Sequence, residues 1–227
     1  MVTATRPRRA PHAFGPRDYV GGHPVIDFVN TVTARNTVAP ADRLDGYPAL
    51  LRWASLSALA LPDDATADDA AADDAAARDA AARDGEPADA RSEVQRCRAL
   101  REALHAILTA RQDGGPVPEG AVGTLQASWR HAAAHARLEV SPSGPIRLRH
   151  DGSGPWSSVV RRAVAAAAVG LLADLPPGRL RTCPGERCGW IFLDTSKAGR
   201  RRWCDMATCG TADKNRHRRR PSDPARR

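Results

Sequence analysis

The segments Cys183-Pro184-Gly185-Glu186-Arg187-Cys188 and Cys204-Asp205-Met206-Ala207-Thr208-Cys209 hold four of the five cysteines of this 227-residue chain. Each pair encloses four residues, and fifteen residues separate the pairs. Two short turns spaced in this way can deliver four thiolates to one tetrahedral Zn2+. The spacing therefore predicts one structural zinc held by Cys183, Cys188, Cys204 and Cys209, with no coordination position open for a catalytic water. A module of about forty-five residues buries little apolar surface, so metal binding is expected to be its main source of folding free energy. Trp190, Phe192 and Trp203 are candidates for a miniature core around the metal. Gly185 and Gly189 suit tight turns at the first pair, and Gly210 suits a change of direction after the second.

Charge is gathered around this motif. The chain carries a net +8, while residues 179–227 hold fourteen Lys/Arg against five Asp/Glu. The excess of nine there leaves the remainder close to neutral and points to a polyanionic partner, nucleic acid first. Residues 190–193 are expected as a strand and residues 200–203 as its return. A helix is expected after Cys209, capped by Thr211 or Asp213 and running to about Arg220. The candidate nucleic-acid contacts are Arg200, Arg201, Arg202, Lys214, Arg216, Arg218, Arg219 and Arg220. DNA is the expected partner. RNA binding and a protein-interaction zinc module with exposed Trp190 and Trp203 are the alternatives.

Working outward, Pro176-Pro177-Gly178 marks a boundary between this module (179–220) and an N-terminal domain over residues 18–177. Residues 1–17 read as a disordered basic arm and residues 221–227 as a disordered tail. Within the domain, residues 24–32 place Val25, Val29 and Val32 on one helical face, with a strand as the alternative. Residues 44–61 are predicted helical. Residues 62–91 repeat Asp-Asp pairs among alanines, and ten acids against three arginines mark them as a solvated insertion without large apolar anchors. Residues 92–111 give the clearest helix, with Ser92 and Gln95 as a capping box and Val94, Cys97, Leu100, Leu104, Ile107 and Leu108 as its buried stripe. A second helix is expected over 119–135 with Val122, Leu125 and Trp129 inward. A hairpin over 137–149 and an apolar, alanine-rich helix over 156–175 complete the domain. The fold class is α+β: a mostly helical N-terminal domain with a β-hairpin, then a small zinc-binding hairpin and helix.

No run of eighteen apolar residues and no signal-peptide core is present, so a cytoplasmic protein without a membrane partner is expected. That compartment favours metal thiolates over disulfides. Cys97 reads as a core residue. His131 and His135, four apart, could share a metal but lack a neighbouring acid. Asp27 and Asn30 interrupt an apolar run; they either bond backbone or line a small-molecule pocket in a sensory domain. There is no phosphate-binding glycine loop, nucleophile elbow or acid/base pair, so no enzyme is expected.

The string from Cys183 through Cys188-Gly189-Trp190-Ile191-Phe192-Leu193-Asp194-Thr195-Ser196-Lys197 to Arg201-Arg202-Trp203-Cys204-Asp205-Met206 and Cys209-Gly210 resembles the CGNR zinc finger. Ile26-Asp27-Phe28-Val29-Asn30-Thr31 and Leu50-Leu51-Arg52-Trp53-Ala54 are similar to the ABATE domain that precedes that finger. The resemblance implies a stress-response transcription regulator whose finger binds DNA. One departure stands out: the family's Cys-Gly-Asn-Arg is here Cys209-Gly210-Thr211-Ala212. Ala212 can donate no hydrogen bond to phosphate or base, and Asn215-Arg216, one helical turn on, is the expected partial substitute.

Overall fold

The computed structural model describes residues 14–59, 61, 90–140, 147–150 and 152–219. The first thirteen residues of the basic arm, nearly all of the Asp-Asp insertion, Arg220 and the tail lie outside the described residues. Among the described residues five α-helices build the N-terminal domain: α1 (Pro24–Val29), α2 (Tyr47–Leu56), α3 (Ala90–Asp113), α4 (Glu119–Ala134) and α5 (Trp156–Ala173). The ladder β1 (Val32–Thr33) with β2 (Ala41–Asp42) follows α1, and the hairpin β3 (Ala136–Glu139) with β4 (Arg147–His150) follows α4. The C-terminal module contains β5 (Leu180–Thr182), β6 (Ile191–Leu193), a π-turn over Met206–Gly210 and α6 (Thr211–Arg219). All three ladders are antiparallel.

Helix α1 forms because Pro24 occupies its first turn and the His23 ring accepts the Val25 N–H, which covers one of the otherwise unpaired amides at a helix start. Its Val25, Ile26, Phe28 and Val29 are fully buried. They meet α2 through Phe28 and Trp53, whose ring centroids lie 4.9 Å apart, and they rest on α3 and α5. Along α3, Val94, Cys97, Leu100, Leu104, Ile107 and Leu108 all lie in the core, as their spacing predicts. The expected capping box is not at the start of α3. The helix is already formed at Ala90, so Ser92 sits inside its first turn, where the Arg96 guanidinium donates to it at 3.4 Å. On α4 the inward residues are Leu125, Ser128 and Ala132, with Trp129 packed at the core margin, while Val122 is exposed.

Helix α5 is long and apolar enough, by length and composition alone, to cross a membrane, a test that a buried core helix also passes. It packs on α1, α2, α3 and α4 and carries two buried arginines, Arg161 and Arg162. Arg161 meets Glu93 of α3 at 2.9 Å inside the core. Burying two charges is costly, so this pair holds α3 and α5 in register through its geometry rather than through a large net gain. A second cluster fixes the β1–β2 ladder to α3: Arg101, buried, grips both Asp42 oxygens at 2.6 and 2.8 Å and donates to Thr31 Oγ1.

The core does not stop at Pro176. Leu180 and Ile191 belong to it, and Trp190 and Leu193 pack against it. One strand expectation is corrected here. β6 pairs with β5, which precedes Cys183, in the register Leu180 to Leu193 and Thr182 to Ile191. Residues 200–203 form no strand; Arg201 N donates to the carboxylate of Asp194, which also accepts from Ser196 N and Ser196 Oγ.

Candidate functional site

The two cysteine turns converge. The sulfurs of Cys183, Cys188, Cys204 and Cys209 lie within 4.8 Å of one another, and three of the four residues are buried. Cys188 Sγ to Cys204 Sγ is 3.5 Å, and Cys204 Sγ to Cys209 Sγ is 3.7 Å. A tetrahedron with metal–sulfur bonds of about 2.3 Å has edges of about 3.8 Å, so the cage has the dimensions of a zinc site. No disulfide joins these residues. The crowded thiols perturb one another: sulfur hydrogen bonds led by Cys188 hold Cys183 low, and those led by Cys183 push Cys188 and Cys204 up. These four thiolates hold one structural zinc.

Local sequence explains the cage. A side chain at Gly185 would put its Cβ 3.0 Å from Cys188 Cβ and 3.1 Å from Cys209 Sγ, so the cage would have to give by a few tenths of an ångström to admit one. Gly189 adopts φ +68°, a left-handed conformation that favours glycine, with Asn36 N 3.0 Å from where a Cβ would stand. At the second pair the cap differs from expectation. Asp205, not Thr211 or Asp213, closes the helical segment, accepting from Ala207 N and Thr208 N. The π-turn then runs directly into α6, and Thr211 Oγ1 donates back to Met206 O.

Asp27 and Asn30 bond backbone, and the pocket expectation gives way. Asn30 Oδ1 accepts from Ile191 N at 3.0 Å while Asn30 Nδ2 donates to Ile191 O at 2.8 Å. The amide thus completes the outer edge of β6 as another strand would. Asp27 Oδ1 accepts from Gly21 N at 2.8 Å, and Gly21 O in turn accepts from Leu193 N. Neither side chain lines the cleft of about 910 Å3 that opens beside the cysteines, whose walls include Phe14, Trp190, Arg17, Arg43, Arg187 and Asp205. Burial pushes the Asp27 carboxyl up to about 7, against the opposing pull of the Gly21 and Val20 amides and the Arg201 charge. A carboxyl with a raised folded pKa favours the protonated folded state. Its contribution is full below about pH 4 and is lost as pH rises through about 7. Between these values, stability is expected to fall by at most about 1.4 kcal/mol per pH unit. Urea midpoints of Asp27→Asn, which keeps the acceptor oxygen, should show this slope removed.

Further contacts dock the module. Trp190 Nε1 donates to Val32 O, Arg35 N to Cys188 O and Asn36 Nδ2 to Gly185 O. Arg35 and Asn36 follow Ala34, a non-glycine residue at φ +56°. The bend they need therefore stores on the order of 1 kcal/mol of backbone strain. Arg35 and Asn36 were not legible beforehand, because both belong to a polar turn with no periodic pattern.

The candidate nucleic-acid contacts separate into groups. Arg200, Arg202, Lys214 and Arg218 are exposed, with Arg202 lying 4.8 Å over the Trp203 ring. Arg201 turns inward instead. It lies 4.6 Å over Phe192 and donates to Trp203 O, Val20 O and Cys204 O, which makes it a brace for the second cysteine turn. Arg216 is half exposed and pairs with Glu186 at 3.2 Å and Asp213 at 3.5 Å, tying α6 to the first turn. Arg219 closes α6, and Arg220 lies outside the described residues. Trp190 and Trp203 are both partly buried, unlike the exposed aromatics that a protein-interaction surface would present.

Cys97 is buried, donates to Ser157 O, and its thiol is pushed up to about 12 by burial, which fits a core residue. The His131 and His135 rings stack 4.6 Å apart, and His131 Nε2 lies 3.2 Å from Ser158 Oγ. Among the described residues, only the four cysteines bring three or more metal-ligating groups together.

With this geometry in place, comparison with known families gives two matches. The ABATE family, described as "Putative stress-induced transcription regulator", matches residues 22–175. The CGNR zinc finger matches residues 179–221. No curated protein matches the chain at significance.

Proposed function

Because the chain belongs to the ABATE family and carries a four-thiolate zinc centre inside an arginine-rich module, we propose that it is a zinc-dependent DNA-binding protein acting in the cytoplasm as a transcription regulator, without a catalytic role. The observation that carries the reading is the sorting of the basic residues. Arg201 serves the fold, while Arg200, Arg202, Lys214 and Arg218 stand exposed on the zinc scaffold, and Arg216 is exposed beside them with Glu186 and Asp213 as ion-pair partners. Exposed cations on a rigid, metal-held frame suit phosphate contacts better than the same charges on an unstructured tail, since their positions are set before binding. The family name supports regulation in stress.

With Arg219 and Arg220, about six phosphates would be neutralised, so log affinity is expected to fall with log salt at a slope of about −5. Fluorescence anisotropy with duplex DNA at several salt concentrations measures it, and a flat response would sink the proposal. A parallel titration with structured RNA separates the two nucleic acids. Arg216→Ala tests whether the Asn215-Arg216 pair replaces the missing Asn-Arg: affinity and slope should both drop if it does.

A further inference from the structure

We infer that a depression at the seam of the two regions is a phosphodiester-binding pocket, in which Gln112 of α3 and Arg181 of β5 act together with Arg200 and Arg202. The inference rests on the DNA-binding reading and extends it by giving the N-terminal domain a share of the nucleic-acid contact.

The depression measures about 450 Å3 and is lined by Gln112, Leu180, Arg181, Thr182 and the run Arg200, Arg201 and Arg202, with no Asp or Glu in its lining. Four guanidinium groups contribute +4. Against them stand the Asp194 carboxylate, 3.4 Å from Arg181 Nε, and the C-terminal end of α3, equivalent to about half a negative charge. The carboxylate of Asp194 is wholly covered and already accepts three hydrogen bonds from Ser196 and Arg201. Counted in full, Asp194 and the helix end still leave the depression net positive by about 2.5 charges.

The donors are also placed for an oxyanion. Arg181 is steadied by donating to Gly199 O at 2.9 Å, and Arg202 by its stack on Trp203. Thr182 Oγ1 donates to Gln112 Oε1 at 3.0 Å. That bond fixes the orientation of the amide and leaves its Nε2 group available as a donor. A planar fork beside a neutral amide donor is a common arrangement for gripping phosphate oxygens.

The test uses the full-length, zinc-loaded protein, with anisotropy titrations of duplex DNA and, in parallel, structured RNA. Gln112→Glu keeps the acceptor for Thr182 while placing a carboxylate at the pocket. It is expected to weaken DNA binding by about tenfold or more, as facing like charges do, whereas Gln112→Ala changes affinity far less. The double variant Arg200→Gln/Arg202→Gln should lower the salt slope by about 2. Zinc content and circular dichroism confirm that each variant is folded. If the wild-type protein binds DNA and both changes leave affinity and slope unaltered, the pocket is overturned and the DNA reading stands. If RNA alone binds and shows the same losses, the pocket stands and the DNA reading falls. If neither nucleic acid binds, both are overturned.

Discussion

Chelating the zinc from the full-length protein is expected to unfold residues 179–219 and to loosen the core beneath them. The cysteine cage and Phe192 form a small cluster of their own, with Val20, Trp190 and Trp203 packed around it. That cluster is too small to close by apolar burial alone, and in zinc-finger peptides the metal contributes about 10–16 kcal/mol of apparent binding free energy that is also folding free energy. Cys204→Ser should abolish stoichiometric zinc, because Cys204 is buried and its sulfur lies 3.5 and 3.7 Å from two others. The consequence should reach beyond the module, since Leu180 and Ile191 belong to the main core and Trp190 packs against it. Elemental analysis gives the metal content, and near-ultraviolet circular dichroism of Trp190 and Trp203 reports the packing. Zinc-free protein with an unchanged near-ultraviolet spectrum would contradict the assignment.

Asn30→Ala is expected to cost about 2–5 kcal/mol, as two buried backbone groups of Ile191 lose their partners together and each unsatisfied group costs about 1–3 kcal/mol. Asn30 is almost completely buried, so water cannot readily take its place. Asn30→Asp keeps the acceptor for Ile191 N but turns the donor into a second acceptor facing Ile191 O, and should be at least as damaging. The loss should appear as a lower urea midpoint with an unchanged slope. It should also bring faster zinc release to a chelator, because β6 lies between the two cysteine turns. A change below about 1 kcal/mol would mean that Asn30 is not what docks β6.

The metal ligands were legible because thiolate spacing is a local property of the chain. The helices were legible wherever apolar residues recur at 3.6-residue spacing, as along α3 and α5. Misreadings arose where partners are distant in sequence. Residues 200–203 resembled a return strand by their position after a turn. The strand that pairs with β6 lies before Cys183, and the Arg201 N–H instead donates to Asp194. The start of α3 was misplaced because a Ser-to-Gln pattern inside a helix looks the same as one at its end. Asp27 and Asn30 announced themselves as polar residues in an apolar run, but only the fold reveals that their partners are Gly21 and Ile191, the latter 161 positions away. Arg201 was indistinguishable from its two neighbours by composition; its inward turn is decided by Phe192 and by the carbonyls of Val20 and Cys204.

The two-way amide clasp between Asn30 and Ile191, with the Trp190 indole reaching Val32 O, bears on modularity. A finger of this kind cannot be handed between hosts as a cassette. Transplanted alone, it would arrive with one strand edge bare and its tryptophan unmoored, so any functional exchange between relatives must carry α1 and the following turn along with the cysteines.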